Sequence, residues 1–105
     1  MQAAVKKNGM IKGIIGYKVL EYRNIEPILM QLRLCAMQYS GFVGAEFLVS
    51  EEDRSAGVMI STWETMENWR TWAGSKATLE VLQRAKTSVT GTPRISAYRT
   101  MHTEE

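Results

Sequence analysis

The sequence holds one cysteine, Cys35, and one histidine, His102, among 105 residues. A lone thiol cannot close a disulfide within the chain or build a cysteine-based zinc cluster, so a reducing, cytoplasmic setting is the natural reading. The histidine stands in the tail, where a solvated side chain is the ordinary outcome. No Ser-His or Cys-His nucleophile and no transition-metal site can be read from such a set. An excess of one charge is missing too: 13 Lys and Arg face 11 Asp and Glu, the net charge is +2, and the basic residues form no run. That balance gives no footing for nucleic acid. Residues Met1 to Leu20 interleave Lys6, Lys7 and Lys12 with short apolar stretches such as Ile14-Ile15, which make neither a signal-peptide core nor a membrane span. Repeats and low-complexity tracts are absent.

What is present suits one globular domain. A hydrophobic share of 45% with 23% charged residues argues against disorder. Residues 1–12 read as a flexible polar lead-in, with Met10 as a second candidate start, and 13–102 as the domain. Ile14 to Tyr22 reads as a strand with apolar groups on both faces, Ile15, Tyr17 and Val19 on one, Ile14, Leu20 and Tyr22 on the other. Such a strand is covered on both sides. A helix follows, with Asn24 as its cap, Pro27 in its first turn, and Ile28, Leu29, Leu32, Cys35, Ala36 and Tyr39 on one face, ending at Ser40-Gly41. Phe42 to Val49 and Ala56 to Trp63 form an antiparallel hairpin around a polar turn over 50–55.

Thr65 caps a second helix with Met66, Trp69 and Ala73 on its apolar stripe; Asn68 falls where a capping-box Glu would stand. Gly74 breaks that helix, and Ser75 caps a third with Leu79, Leu82, Ala85 and Val89 as its stripe. Gly91-Thr92-Pro93 ends it, and Arg94 to Met101 is the last strand. The order β-α-β-β-α-α-β is an α+β, ferredoxin-like split βαβ with an antiparallel sheet. Its helices can cover one sheet face only. The other, also apolar, is expected to meet a second copy of the chain as a homodimer.

Thr62-Trp63-Glu64-Thr65, followed by Trp69, Trp72 and Ser75 and preceded by Gly41-Phe42-Val43-Gly44, resembles the antibiotic-biosynthesis monooxygenase family over about residues 14–101. The resemblance implies a dimeric α+β barrel with a pocket between sheet and helices in each subunit. It also implies one of two activities, oxidation of quinol-like aromatics by O₂ without a cofactor, or haem breakdown. Haem-degrading members use an Asn on the first strand, a Trp on the second helix and an iron-ligating His on the third. Those positions fall here at Tyr17 to Lys18, Trp72 and Leu82, so haem turnover is not expected.

The candidate substrate-binding residues are Trp72, Tyr17, Arg99 and Asn68. Three tryptophans stand within ten residues, Trp63, Trp69 and Trp72. Core packing accounts for Trp69, which shares its stripe with Met66 and Ala73; Trp72, three residues on, packs in the same way or lines a pocket. Arg99, in an apolar row with Ile95, Ala97 and Met101, pairs with Glu46 or Glu21, or holds an anionic substrate oxygen. Tyr17 can offer its phenol to the same pocket. The expectation is a cofactor-independent monooxygenase acting on an electron-rich quinol or polyphenol, with no metal and no catalytic base identified. The alternative is a non-catalytic small-ligand-binding or assembly domain on the same fold.

Overall fold

The computed structural model describes residues 9–101, the side chains of residues 22 and 23 excepted. It contains strand β1 (Ile11–Val19), helix α1 (Tyr22–Ala36), strands β2 (Phe42–Val49) and β3 (Ala56–Trp63), helices α2 (Met66–Ala73) and α3 (Lys76–Arg84), a 3₁₀ turn (Ala85–Thr87) and strand β4 (Val89–Arg99). The fold is α+β with one antiparallel sheet in the order β2-β3-β1-β4. The expected order of elements is the observed one, and both hairpin strands have the expected bounds. Of the expected lead-in, residues 1–8 lie outside the described residues, as does His102, while Ile11 and Lys12 already belong to β1.

Strict alternation places the core. Ile11, Ile15, Tyr17 and Val19 of β1 and Met59, Ser61 and Trp63 of β3 are buried on the helix-covered face. α1 lays Ile25, Leu29, Leu32 and Ala36 upon them. The opposite face carries Ile14, Val58, Ile60 and Leu48, with Ile14 paired to Ile60 and Leu48 to Val58. No helix among the described residues is long and apolar enough to cross a membrane.

Three local readings are corrected. Leu20 and Tyr22 do not extend β1: the Leu20 amide bonds to the Ser88 carbonyl, the side chain is exposed, and Tyr22 opens α1 behind Glu21 rather than Asn24. Leu79 lies outside the α3 stripe, 52% exposed, and Thr78 takes its place in the core. A hydroxyl is tolerated there because it is satisfied, with Ser75 Oγ at 2.9 Å and Cys35 Sγ at 3.5 Å. Finally β4 begins at Val89, so Gly91 and Pro93 lie inside an edge strand, a place where proline is accepted.

The caps explain where the short helices start. Thr65 Oγ1 accepts the Asn68 amide at 3.0 Å and donates to Asn68 Oδ1 at 2.7 Å, so Asn68 answers the cap in place of a glutamate. Gly41 precedes β2 at φ +84°, and a Cβ on it would stand 2.1 Å from Asn68 Oδ1. Both facts require glycine there.

In the hairpin turn, Asp53 accepts the Ser55 hydroxyl at 2.6 Å and amide at 3.0 Å, and pairs with Lys18 Nζ at 2.9 Å. Led by the Ser55 hydroxyl, these contacts lower its carboxyl from 3.8 to about 2. A carboxyl depressed in the folded state stabilises it above the ordinary pKa, and that contribution is lost as pH falls through the folded value. Asp53→Asn should therefore show a shallower loss of stability than the parent between about pH 4 and pH 2. Chemical denaturation across that window reads the difference; parallel curves would show that the turn does not carry it.

Candidate functional site

A cavity lies between the sheet and the helices. β1 gives its floor through Ile15 and Tyr17, α1 its roof through Ile25, Ile28, Leu29 and Leu32. Leu82 of α3 and Ala85 of the turn close one side, and Val89 and Pro93 of β4 close the end. Its free volume is about 10 Å³, the room of a single water molecule. Tyr17 gives that wall the face of its ring, while its hydroxyl lies across β3, where a Cβ on Gly57 would come within 2.9 Å of it. Glycine at 57 is what lets the phenol lie flat against the sheet. The wall is apolar throughout and offers no acid, base or metal ligand. As it stands it has room for no ring, and an aromatic ligand would enter only if α1, α3 and the sheet moved apart.

The four candidate substrate-binding residues do not share one place. Tyr17 lines the cavity. Trp72 is buried to 1% exposure in the adjoining core, stacked on Trp63 with ring centroids 5.4 Å apart and planes 29° apart. Phe42 meets the edge of Trp63 at 5.3 Å, and Trp63 Nε1 donates to Ser61 Oγ at 2.9 Å. Of the two places open to Trp72 it takes the core, while Trp69, expected in the core, is only partly buried and lies over Gly13, where a Cβ would fall 2.2 Å from its Nε1. Trp72 Nε1 is buried with no hydrogen-bond partner. Asn68 lines a separate surface cleft of polar character with Tyr39 and Thr71.

Arg99 stands at the far end of the sheet, opposite Ile11, exposed, with Nη1 donating to the Gly9 carbonyl at 3.0 Å. Neither expected partner can reach it. Glu46 is on β2, the other edge strand, paired with Ile60 on the uncovered face, and Glu21 follows the opposite end of β1. Sequence reasoning placed Leu82, Ala85 and Val89 on one stripe and so foresaw part of the wall. It missed Ile25 and Pro93, the latter because a proline after a glycine reads as a terminator.

The cavity does not fit haem. Where the resemblance puts an iron-ligating histidine, Leu82 presents hydrocarbon, and the remaining wall has no nitrogen or sulfur ligand. Among the described residues no three His, Cys, Asp or Glu side chains gather into a metal-binding group.

Comparison with known proteins agrees with this architecture. The sequence profile of a family described as antibiotic biosynthesis monooxygenase matches residues 32–84, half of the chain. No curated protein matches the sequence. Among solved structures, SnoaB, a cofactor-independent oxygenase from Streptomyces nogalater, superposes with a TM-score of 0.79 at 14% identity, covering 90% of this chain and 96% of its own. A Bordetella bronchiseptica protein assigned to antibiotic biosynthesis monooxygenases gives 0.73 at 22% identity, over 87% and 96% of the two chains. A conserved protein from Methanosarcina mazei Go1 gives 0.72 at 13% identity, over 91% and 97%. At these identities the likeness is one of fold.

Proposed function

The chain belongs to the antibiotic biosynthesis monooxygenase family, and from that premise we propose that it is a cofactor-independent monooxygenase of electron-rich aromatics, working as a homodimer in a reducing compartment. The observation that carries the reading is the family match over residues 32–84, together with a wholly apolar wall between sheet and helices whose lining would have to part to admit a ring. In such a reaction the substrate does the redox work. A hydroxylated aromatic, once deprotonated, gives an electron to O₂. The resulting radical pair combines into a peroxide on the ring carbon, and loss of water leaves a carbonyl. One oxygen atom stays in the product, the other leaves as water, and the substrate supplies all four electrons. The protein's share is to orient the ring and to exclude water.

Oxygen uptake with a panel of hydroquinones tests the reading. Protein-dependent uptake above autoxidation is expected with at least one member. Ala85→Leu should abolish it, because Ala85 is 3% exposed and its added carbons enter a cavity of about 10 Å³. That overpacking should cost about 1–3 kcal/mol and leave a folded protein. Uptake unchanged in Ala85→Leu would place the chemistry elsewhere. The absence of an ionisable base on the wall favours a second reading, a ligand-binding domain without turnover. Thermal stabilisation by the same panel with no oxygen uptake would select it.

A further inference from the structure

A second space lies on the helix layer, away from the sheet face given to the dimer. Gln38, Tyr39 and Ser40, just past the end of α1, and Glu67, Asn68 and Thr71 of α2 line a cleft of about 370 Å³ that is open to solvent. That volume falls within the about 300–1,000 Å³ of small-ligand sites. One wall is fixed before any ligand arrives. Asn68 Oδ1 accepts the Thr65 hydroxyl at 2.7 Å, the Asn68 amide donates to Thr65 Oγ1 at 3.0 Å, and the side chain lies against Gly41, where no Cβ has room. The carboxamide NH₂ is left over as a donor of set position. Tyr39 packs its ring partly against the core, which holds it as a rigid plate. Thr71 turns its hydroxyl back to the Glu67 carbonyl at 2.9 Å. Among the described residues, the side-chain polar groups of Gln38, Tyr39, Ser40 and Glu67 have no hydrogen-bond or ion-pair partner.

The wall selects by its chemistry. No cation lines it, so a phosphate or carboxylate would meet only the like charge of Glu67. An ammonium would find that one carboxylate, exposed to water, where an ion pair is worth little. The end of α1 and the start of α2 meet here, so the two helix dipoles oppose each other and add no charge of either sign. Every lining residue carries a polar group, which leaves a hydrocarbon little to gain. What the wall matches is a neutral ring rich in hydroxyls. The two carboxamides and the carboxylate are planar groups that can each engage two adjacent hydroxyls, and Tyr39 offers a flat face to the C–H side of the ring. We propose that this cleft is a binding site for a sugar ring, with Asn68, Gln38 and Glu67 on its hydroxyls and Tyr39 beneath it. The inference stands apart from the oxidation reading, and its failure leaves that reading untouched.

Titration of the ¹⁵N-labelled chain with the methyl glycosides of glucose, galactose, mannose and N-acetylglucosamine, followed by ¹H–¹⁵N spectra, tests it. At least one glycoside should shift the side-chain NH₂ signals of Asn68 and Gln38 and leave those of Gln31 and Gln83 in place. Asn68→Asp keeps the oxygen that answers Thr65 and loses the NH₂, so the variant keeps its fold. Its affinity for that glycoside should fall about tenfold, the scale of one lost hydrogen bond. Glu67→Gln, at an exposed position, should weaken the same glycoside. Propylammonium and cyclohexanol, which carry a charge and a single hydroxyl, should shift neither signal. No shift with any of the four glycosides would overturn the proposal, as would shifts that survive both variants unchanged. Shifts with propylammonium alone, lost in Glu67→Gln, would overturn it in favour of a cation site.

Discussion

Trp72→Ala should lower the unfolding free energy by about 3–5 kcal/mol, the usual loss for deleting a buried large aromatic. A domain of this size holds about 5–15 kcal/mol in total, so the variant stands near the edge of folding. The reason is position. Trp72 is 1% exposed and stacked on Trp63, which is itself fully buried and edge-on to Phe42. Removing the indole opens a hole between β3 and α2 that no neighbouring side chain can fill. Trp69→Ala should cost clearly less, since Trp69 is only partly buried. Trp72→Phe separates packing from polarity. It keeps an aromatic ring on Trp63 and removes an N–H that is buried without a partner, a group whose burial costs about 1–3 kcal/mol. Its loss should be smaller than that of the alanine variant. Urea melts of the three variants read these differences; equal losses for Trp69→Ala and Trp72→Ala would refute the ranking.

The proposed dimer gives the other large effect. Helices cover only the face that carries Ile11, Ile15, Met59 and Trp63. On the other face Ile14 and Ile60 are neighbours across β1–β3, and Leu48 and Val58 across β2–β3, with Leu48 44% exposed. An apolar sheet face left to water favours a second copy, and a two-fold axis would set the same residues against themselves. A stable contact buries about 800 Å² on each partner, an area that a four-stranded sheet face can supply. Sedimentation at micromolar concentration should give twice the 11.9 kDa chain mass. Ile60→Asp places a carboxylate at the centre of that face and should give the single chain mass. Leu48→Asp, at an exposed position, should weaken association without threatening the fold. A parent protein that sediments as a monomer would remove the dimer from the account.

Most of the fold was legible because the signals were local. β3 alternates strictly, the hairpin turn is polar, and Thr65 and Ser75 both cap as their types suggest. The misreadings share one cause: hydropathy does not report what a polar or special residue meets in space. Thr78 is core because Ser75 and Cys35 satisfy it, which no apolar stripe announces. Gly91 and Pro93 look like a helix stop, yet they form a bulge in an edge strand. Trp69 and Trp72 lie about 60° apart on α2, and a helix of two turns leaves the centre of its buried face undecided by spacing. The stack on Trp63 decides it. The site was less legible than the fold, since its walls come from five separate elements and the ring of Tyr17 is laid flat by a glycine on the neighbouring strand.

The central claim, that this chain binds an electron-rich aromatic between sheet and helices and lets O₂ oxidise it there, is tested most directly with ¹⁸O₂. A hydroquinone that drives protein-dependent oxygen uptake should give a product holding one ¹⁸O atom, with the second recovered in water, and Ala85→Leu should give neither. Uptake that ends in hydrogen peroxide with no label in the product, or no protein-dependent uptake with any member of the panel, would contradict the claim.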